Sequence, residues 1–275
     1  MKLYVTFAAI GVFWTVSAAR TPTTQPASAT QRATTTAPAV DPAARKILDA
    51  MEAAGKTTKT IRADLTYKTV NTSLGDSEFR TGWVAYQGKQ TVKSVETPAM
   101  FRVHFETSKM GAGKTVSRKV DYAYDGKTLT IARAKNKTIT RFQLPPENKG
   151  ADTLQLGKGP MPLPFGQKTA DMIKYFVCTT RPAKALEKDT VYLSLVPRKA
   201  HAKNLNTVYI HMWVSTKNYL PVKIVSRMKT KDNITTTFRK TVINEAVKKD
   251  LFTIPKPFGW KLIVQPFKAG QNIKP

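Results

Sequence analysis

Apolar and polar positions alternate with a period of two over much of the chain. Ile61, Ala63, Leu65 and Tyr67 alternate with Arg62, Asp64, Thr66 and Lys68, and Phe79, Thr81, Trp83 and Ala85 give a second, weaker run. Phe101, Val103 and Phe105 form the next, then Val120, Tyr122 and Tyr124, with Leu129 and Ile131 on the return. Each such run is the mark of a strand with one buried face. Residues 137–144 predict a further strand, closed by Pro145-Pro146, which cannot donate to a ladder. In the second half Val191, Leu193 and Leu195 alternate, as do Val208, Ile210, Met212 and Val214, and 220–228 and 234–242 continue the series. The links between runs are short and polar: 71–76, Asp125-Gly126, Lys217-Asn218 and Lys231-Asp232-Asn233. About ten strands joined by such turns, with no strand–helix–strand alternation, predict an antiparallel meander. The fold class is therefore mainly β, a large curved antiparallel sheet forming a barrel or half-barrel with flanking helices.

Two helices interrupt this pattern. Asp41-Pro42 supplies a cap and a proline at the first helical position; Ile47, Leu48, Met51 and Ala54 share one face, and Gly55 marks the stop. A second helix is expected from about 167 to 176, with Met172, Ile173 and Phe176 apolar. Between the strands and this helix, 150–165 is rich in glycine and proline. It reads either as a lid or as a plain connection.

The N-terminus has a different character. Residues 1–19 carry Lys2, a mostly apolar run and a small-residue site at Val16-Ser17-Ala18, which predicts a cleaved export signal. Residues 20–40 are almost all Thr, Pro, Ala, Gln and Ser, too polar to offset their ordering entropy, and predict a flexible leader. Residues 41–275 are then one β domain.

Composition narrows the chemistry. In 275 residues, 45 basic side chains face 18 acidic ones, a formal net charge of +27, which favours polyanionic partners. The basic residues are dispersed, whereas a nucleic-acid protein concentrates them in a stripe with stacking aromatics, so no nucleic-acid partner is expected. One cysteine excludes an intramolecular disulfide, and Cys178, in the apolar Phe176-Val177-Cys178 context, reads as a buried, inert thiol. His104, His201 and His211 are too far apart for a helical metal pair, and His104 and His211 fall at polar strand positions, as surface residues would. Gly111-Ala112-Gly113-Lys114-Thr115 ends like a phosphate loop, but Ser108 stands where the pattern needs glycine and a strand follows, so a hairpin loop is expected. Asp121 and Asp125 could pair, yet Asp125 has a simpler role in the turn. With no nucleophile elbow and no acid–base pair, neither catalysis, nor a metal, nor a cofactor is expected.

Three short motifs carry a family resemblance. Pro98, Phe101 and Val103 fit a Pro-x-x-Phe-x-apolar strand; Asp125, Gly126, Lys127 and Leu129 fit an Asp-Gly-Lys-x-Leu hairpin; Phe252, Ile254, Pro255, Pro257 and Gly259 fit a last strand ending Phe-x-apolar-x-Pro near glycine. Over about 41–264 the chain resembles the LolA-like family of periplasmic lipoprotein carriers, which includes LolB and RseB-like domains. The resemblance implies an unclosed β-barrel covered by helices, whose concave apolar face holds acyl chains. On that reading Tyr67, Trp83, Phe101, Phe105, Tyr122, Tyr124 and Met212 line the cavity. The implied protein is an exported, monomeric, non-enzymatic carrier of lipid or lipoprotein acyl chains. Anionic lipid head groups or envelope proteins are further partners, and an envelope sensor that binds a protein partner is the alternative.

Overall fold

The computed structural model describes residues 40–92, 95–143, 156, 164–181 and 187–266. The export signal, the leader up to residue 39 and most of the 150–165 segment lie outside the described residues.

Among the described residues fourteen strands follow one another. They are β1 (Thr60–Asn71), β2 (Ser77–Gln87), β3 (Gln90–Val92), β4 (Val95–Thr97), β5 (Met100–Met110), β6 (Val116–Tyr124) and β7 (Thr128–Arg133). Then come β8 (Thr138–Gln143), β9 (Phe176–Thr180), β10 (Thr190–Pro197), β11 (Thr207–Ser215), β12 (Pro221–Met228), β13 (Asp232–Ile243) and β14 (Lys261–Pro266). Twelve of them build one sheet in the order β14-β8-β7-β6-β5-β2-β1-β13-β12-β11-β10-β9, while β3 and β4 form a separate hairpin. Strands β14 and β9 stand at the two edges and do not pair with each other. The result is an open half-barrel, one of the two forms the alternation and the turns allow and the one the resemblance implies.

Register explains which side chains meet. Phe101 pairs with Tyr124, Val103 with Tyr122 and Phe105 with Val120, while Phe101 also lies opposite Tyr86 and Val103 opposite Val84. These residues share the inner face with Ile61, Leu65, Leu129, Ile131, Leu193, Met212 and Phe238 in one apolar cluster. The helix α1 (Pro42–Thr57) covers part of this face with Ala44 and Leu48, and α2 (Thr169–Tyr175) adds Met172. Asp41 caps α1, its Oδ1 accepting from the Ala43 amide at 2.9 Å, while its Oδ2 accepts from the Thr180 amide of β9 at 3.0 Å. The second helix is shorter than expected because Phe176 already begins β9, where Phe176 and Cys178 turn into the core.

The outer face carries a surprise for the alternation. Trp83 and Ala85 do not point inward: Arg80, Gly82, Val84 and Tyr86 do, and Ala85 with Met100 forms a small outer cluster around Phe252 with Trp83 packed on it. What covers them is the C-terminal segment. After β13, Asn244 Oδ1 accepts from the Lys59 amide at 2.7 Å, and the Glu245 carbonyl accepts from Thr60 Oγ1 at 2.6 Å. A 3-10 turn (Lys249–Phe252) then buries Phe252, and Ile254 and Trp260 continue onto Ala123, Ala132 and Ile139. The chain thus crosses the back of the sheet from β1 to β8, where β14 adds as a parallel neighbour of β8. Strand β14 adds one parallel pair to an otherwise antiparallel sheet. One expectation is corrected here: the Phe252–Gly259 motif is a crossing strap rather than a strand, since Phe252 is needed in the outer cluster.

Asp125-Gly126 makes the expected hairpin turn. Asp125 Oδ1 accepts from the Lys127 and Thr128 amides at 2.9 and 2.8 Å, and Gly126 has φ 93°. A Cβ on Gly126 would stand 2.2 Å from Pro98 Cγ, so two of the motif fragments are one packing unit. Gly126→Ala therefore meets both an unfavourable φ and a clash, and is expected to cost about 2–4 kcal/mol by urea denaturation. Adding Pro98→Ala, which clears the ring, should restore part of that loss.

Candidate functional site

The inner face offers the largest apolar surface of the fold. Phe101, Phe105, Tyr122, Tyr124 and Met212 lie on it, each no more than 1% exposed. Phe105 and Tyr122 meet edge to face with ring centroids 6.3 Å apart, and Tyr67 meets Phe105 at 5.7 Å. Six of the seven cavity residues expected from the sequence are thus brought to one face; Trp83 is not among them.

Along most of its length this face is filled by the chain itself. Leu156 and Phe165 join α1 and α2 over the sheet, and Phe165 contacts the rings of Tyr86 and Phe238 at 5.7 and 5.3 Å. The gap between the end of α1, Phe165 and Tyr86 is about 10 Å³, the room of a single water. Burial pushes the Tyr86 phenol up to about 12.

At the end of the sheet where β1 turns into β2, the packing opens. A cavity of about 250 Å³ is lined by Tyr67, Met110, Met228 and Ile234 together with Thr69, Asn71, Glu78 and Asp232. Only Tyr67 of these belongs to the expected set. Burial pushes its phenol up to about 12, so it faces the cavity as a neutral hydroxyl. The others cannot be found locally because β1 and β13, which bring Asn71 to Asp232 and Thr69 to Ile234, are about 160 residues apart in sequence. The one signal available is the inward alternation of β1, which continues past Tyr67 to Thr69 and Asn71.

Beside this opening, charge is buried in a compensated form. Arg80 Nη2 donates to Glu78 Oε2 at 2.9 Å, and Ser108 Oγ donates to Glu78 Oε1 at 2.7 Å. The Arg80 guanidinium lies 5.5 Å from the Phe105 ring centroid. Burial alone would raise the Glu78 carboxyl most, but the Arg80 and Ser108 hydrogen bonds with the nearby Arg118 charge hold it below its ordinary value. The apolar face therefore ends in a polar mouth rather than continuing to solvent.

His104 is not the surface histidine its polar position predicts. The strap covers that part of the outer face, and the ring stacks on Trp83 with centroids 5.4 Å apart. Its Nδ1 lies 2.9 Å from Asp121 Oδ1 and its Nε2 2.8 Å from Glu106 Oε2, two carboxylates that favour the protonated ring and raise its pKa above the ordinary value. Arg102 Nε donates to the same Asp121 oxygen at 2.9 Å, and its Nη1 donates to the Leu251 carbonyl of the strap at 3.2 Å. Cys178 is buried as expected, and desolvation pushes its thiol up to about 11. Among the described residues no three His, Cys, Asp or Glu side chains are placed to hold a metal ion. The Gly111–Thr115 stretch lies in the β5–β6 turn with a strand after it, not a helix.

An open half-barrel with helices on its concave face defines the structural class. In architecture the chain is similar to several solved structures. One is an uncharacterized conserved protein from Thermus thermophilus, at 9% identity and TM-score 0.47, covering 81% of this chain and 99% of that one. Another is the complex of Pseudomonas aeruginosa MucA and MucB, at 14% identity and TM-score 0.41, covering 78% of this chain and 61% of that one. A third is a LolA superfamily protein from Nitrosomonas europaea, at 10% identity and TM-score 0.35, covering 77% of this chain and 97% of that one. No protein-family model matches the sequence, and no curated protein does.

The outer ionic cluster makes stability depend on pH. The Asp121 hydrogen bond, above all, and the Glu106 one raise His104 from its ordinary 6.5 against the opposing effect of burial. A raised histidine stabilises fully below about pH 6.5 and loses that contribution as pH climbs through its folded value. The urea midpoint should therefore fall between about pH 6 and pH 9, and His104→Gln should flatten that dependence. An unchanged slope in the variant would remove His104 as its source.

Proposed function

We propose that the protein is an exported carrier, without catalysis of its own, that binds acyl chains of a lipid or lipoprotein against the inner face of the half-barrel. The observation that carries this reading is the apolar inner face that ends, past the Arg80–Glu78 pair, in a cavity where Tyr67, Met110, Met228 and Ile234 stand among polar side chains. An apolar cavity of about 150 Å³ already admits a benzene-sized guest. The 250 Å³ here accepts the end of an acyl chain but not a whole one. A longer chain enters by displacing the layer of α1 and Phe165. That layer is a separate cover: Ala44, Leu48, Ile47 and Met51 of α1 pack on the core with Met172 and Phe165. Asp41 ties α1 to Thr180 of β9, the Thr57 carbonyl accepts from Asn244 Nδ2 at 3.4 Å, and Glu52 Oε2 accepts from the Thr169 amide of α2 at 2.8 Å. Each CH₂ moved from water to the inner face contributes about 0.8 kcal/mol, so a long acyl chain offsets contacts that a short one does not. Export is read from residues 1–19; no helix among the described residues is long and apolar enough to cross a membrane.

The second reading, a partner-binding envelope protein, is favoured by one edge of the sheet. Strand β14 is paired on one side only, Leu262 and Val264 on it are exposed, and Phe258 in the turn before it is wholly in solvent. Such an edge accepts an added strand from another chain.

Organic extracts of the purified protein should contain lipid by mass spectrometry, and the protein should take up a fluorescent fatty acid. Ile234→Trp, which fills the cavity, should weaken uptake about tenfold, the equivalent of two methylenes left in water. Lipid-free protein that takes up no fatty acid would sink the carrier reading.

A further inference from the structure

We infer that the rim formed by the β1–β2, β5–β6 and β12–β13 turns is a docking surface for an anionic lipid bilayer. All three turns lie at one end of the sheet and are tied into a continuous edge. The Thr72 amide and Oγ1 both donate to the Lys231 carbonyl, at 3.1 and 2.8 Å. Asn71 Nδ2 donates to Asp232 Oδ1 at 2.9 Å, and the Gly111 amide donates to the Ser77 carbonyl at 2.7 Å. Within the first turn, Asn71 Oδ1 accepts from the Ser73 and Leu74 amides, both at 3.0 Å. The backbone is therefore fixed, and what it holds in water is apolar: Leu74 is 74% exposed, Met110 53% and Val116 54%. Single exposed apolar residues are ordinary, but three on neighbouring, laterally braced turns form a patch that marks an interaction surface.

Charge selects the occupant. Lys109, Lys114 and Lys231 stand on or beside the same turns, and among the described residues no carboxylate pairs with any of them, while Lys229 Nζ donates to the Ala202 and Lys203 carbonyls at 2.5 and 3.4 Å. At the opposite end some lysines are paired, Lys89 with Glu96 at 2.7 Å and Lys217 with Asp189 at 3.6 Å, while among the described residues Lys127 and Lys188 have no carboxylate partner. What sets the rim apart is that its lysines stand beside exposed apolar side chains. Asp76 is the exposed acidic side chain of the rim turns. A surface that offers unpaired lysines and protruding aliphatic side chains together fits a bilayer with anionic head groups, which takes the charge at its phosphates and the apolar groups at its acyl boundary. An acidic protein would satisfy only the lysines. The cavity lined by Met110 and Met228 opens beside this rim, so a docked protein would receive a chain without exposing it to water. That last consequence rests on the carrier reading; the docking itself does not.

The test uses the full chain and vesicles of phosphatidylcholine with or without phosphatidylglycerol. Because native Cys178 is buried, Leu74→Cys can be labelled selectively with an environment-sensitive fluorophore. Its emission should shift to the blue on phosphatidylglycerol vesicles, and a label at Lys188→Cys at the other end should not. Lys114→Glu with Lys231→Glu should weaken vesicle binding about tenfold or more, while Lys127→Glu with Lys188→Glu, the same change in net charge at the opposite end, should change it by less than about twofold. Leu74→Asp with Val116→Asp should abolish vesicle binding and spare fatty-acid uptake from solution. Equal losses from the two charge pairs, an unshifted label at residue 74, or a preference of the rim for soluble polyglutamate over vesicles would overturn the proposal. Loss of uptake with docking intact would instead overturn the carrier reading and leave this one standing.

Discussion

An open sheet whose two faces are both apolar must cover each of them without closing on itself, and the rest of the molecule follows from that constraint. A closed barrel buries its inner face by geometry. Here β9 and β14 stay apart, so the inner face is covered by α1, α2 and Phe165, and the outer face by the strap that carries Phe252, Ile254 and Trp260. The two covers differ in kind. The strap is continuous with the sheet at both ends, leaving β13 and returning as β14, and a fully buried phenylalanine on it contributes about 1.5–3 kcal/mol. The helical layer is laid on from a separate part of the chain: Ala44, Leu48, Met172 and Phe165 pack onto the sheet, and Asp41 ties α1 to the Thr180 amide of β9.

The outer ionic cluster belongs to the same division. Arg102 reaches from β5 to the Leu251 carbonyl, and it is held there by Asp121, which His104 also binds. Such a network is stable only when every member is satisfied, since a buried unpaired charge costs more than the pair returns. Closing it fixes where the strap lies on the sheet. The inner cluster of Arg80, Glu78 and Ser108 does the opposite job: it puts a polar boundary on an apolar face and so defines where the cavity begins.

Much of this is legible in the chain. Strands with one polar side, such as β1 and β5, announce their faces because Arg62, Asp64, Arg102 and His104 cannot all point into the core. The face of β2 is not legible, because Trp83-Val84-Ala85-Tyr86 is apolar without a break and period two cannot choose between its halves. Trp83 therefore reads as inward when it is not, and His104 reads as exposed because a polar position implies solvent only where nothing crosses the back of the sheet. The parallel strand β14 is hidden for a related reason: its partner β8 lies more than a hundred residues earlier, and only the strap brings them together. The buried aromatics of β5 and β6 on the inner face can be found locally. The cavity cannot, since Asn71 and Asp232 meet through pairing of the first and thirteenth strands.

The same topology bears on how the charge is distributed. The net charge of +27 reads as a dispersed surface along the sequence, because lysines from every turn alternate with those of every other. A meander places successive turns at alternate ends, so Glu96, Glu187 and Asp189 meet lysine partners at one end, while Lys114 and Lys231 stand at the other without a carboxylate among the described residues. Lys229 has a structural role, its Nζ donating to the Ala202 and Lys203 carbonyls, whereas Lys114 and Lys231 make no such bond among the described residues. These two stand beside the exposed Leu74, Met110 and Val116, and it is this juxtaposition of cation and apolar side chain, not charge alone, that distinguishes the end where the cavity opens.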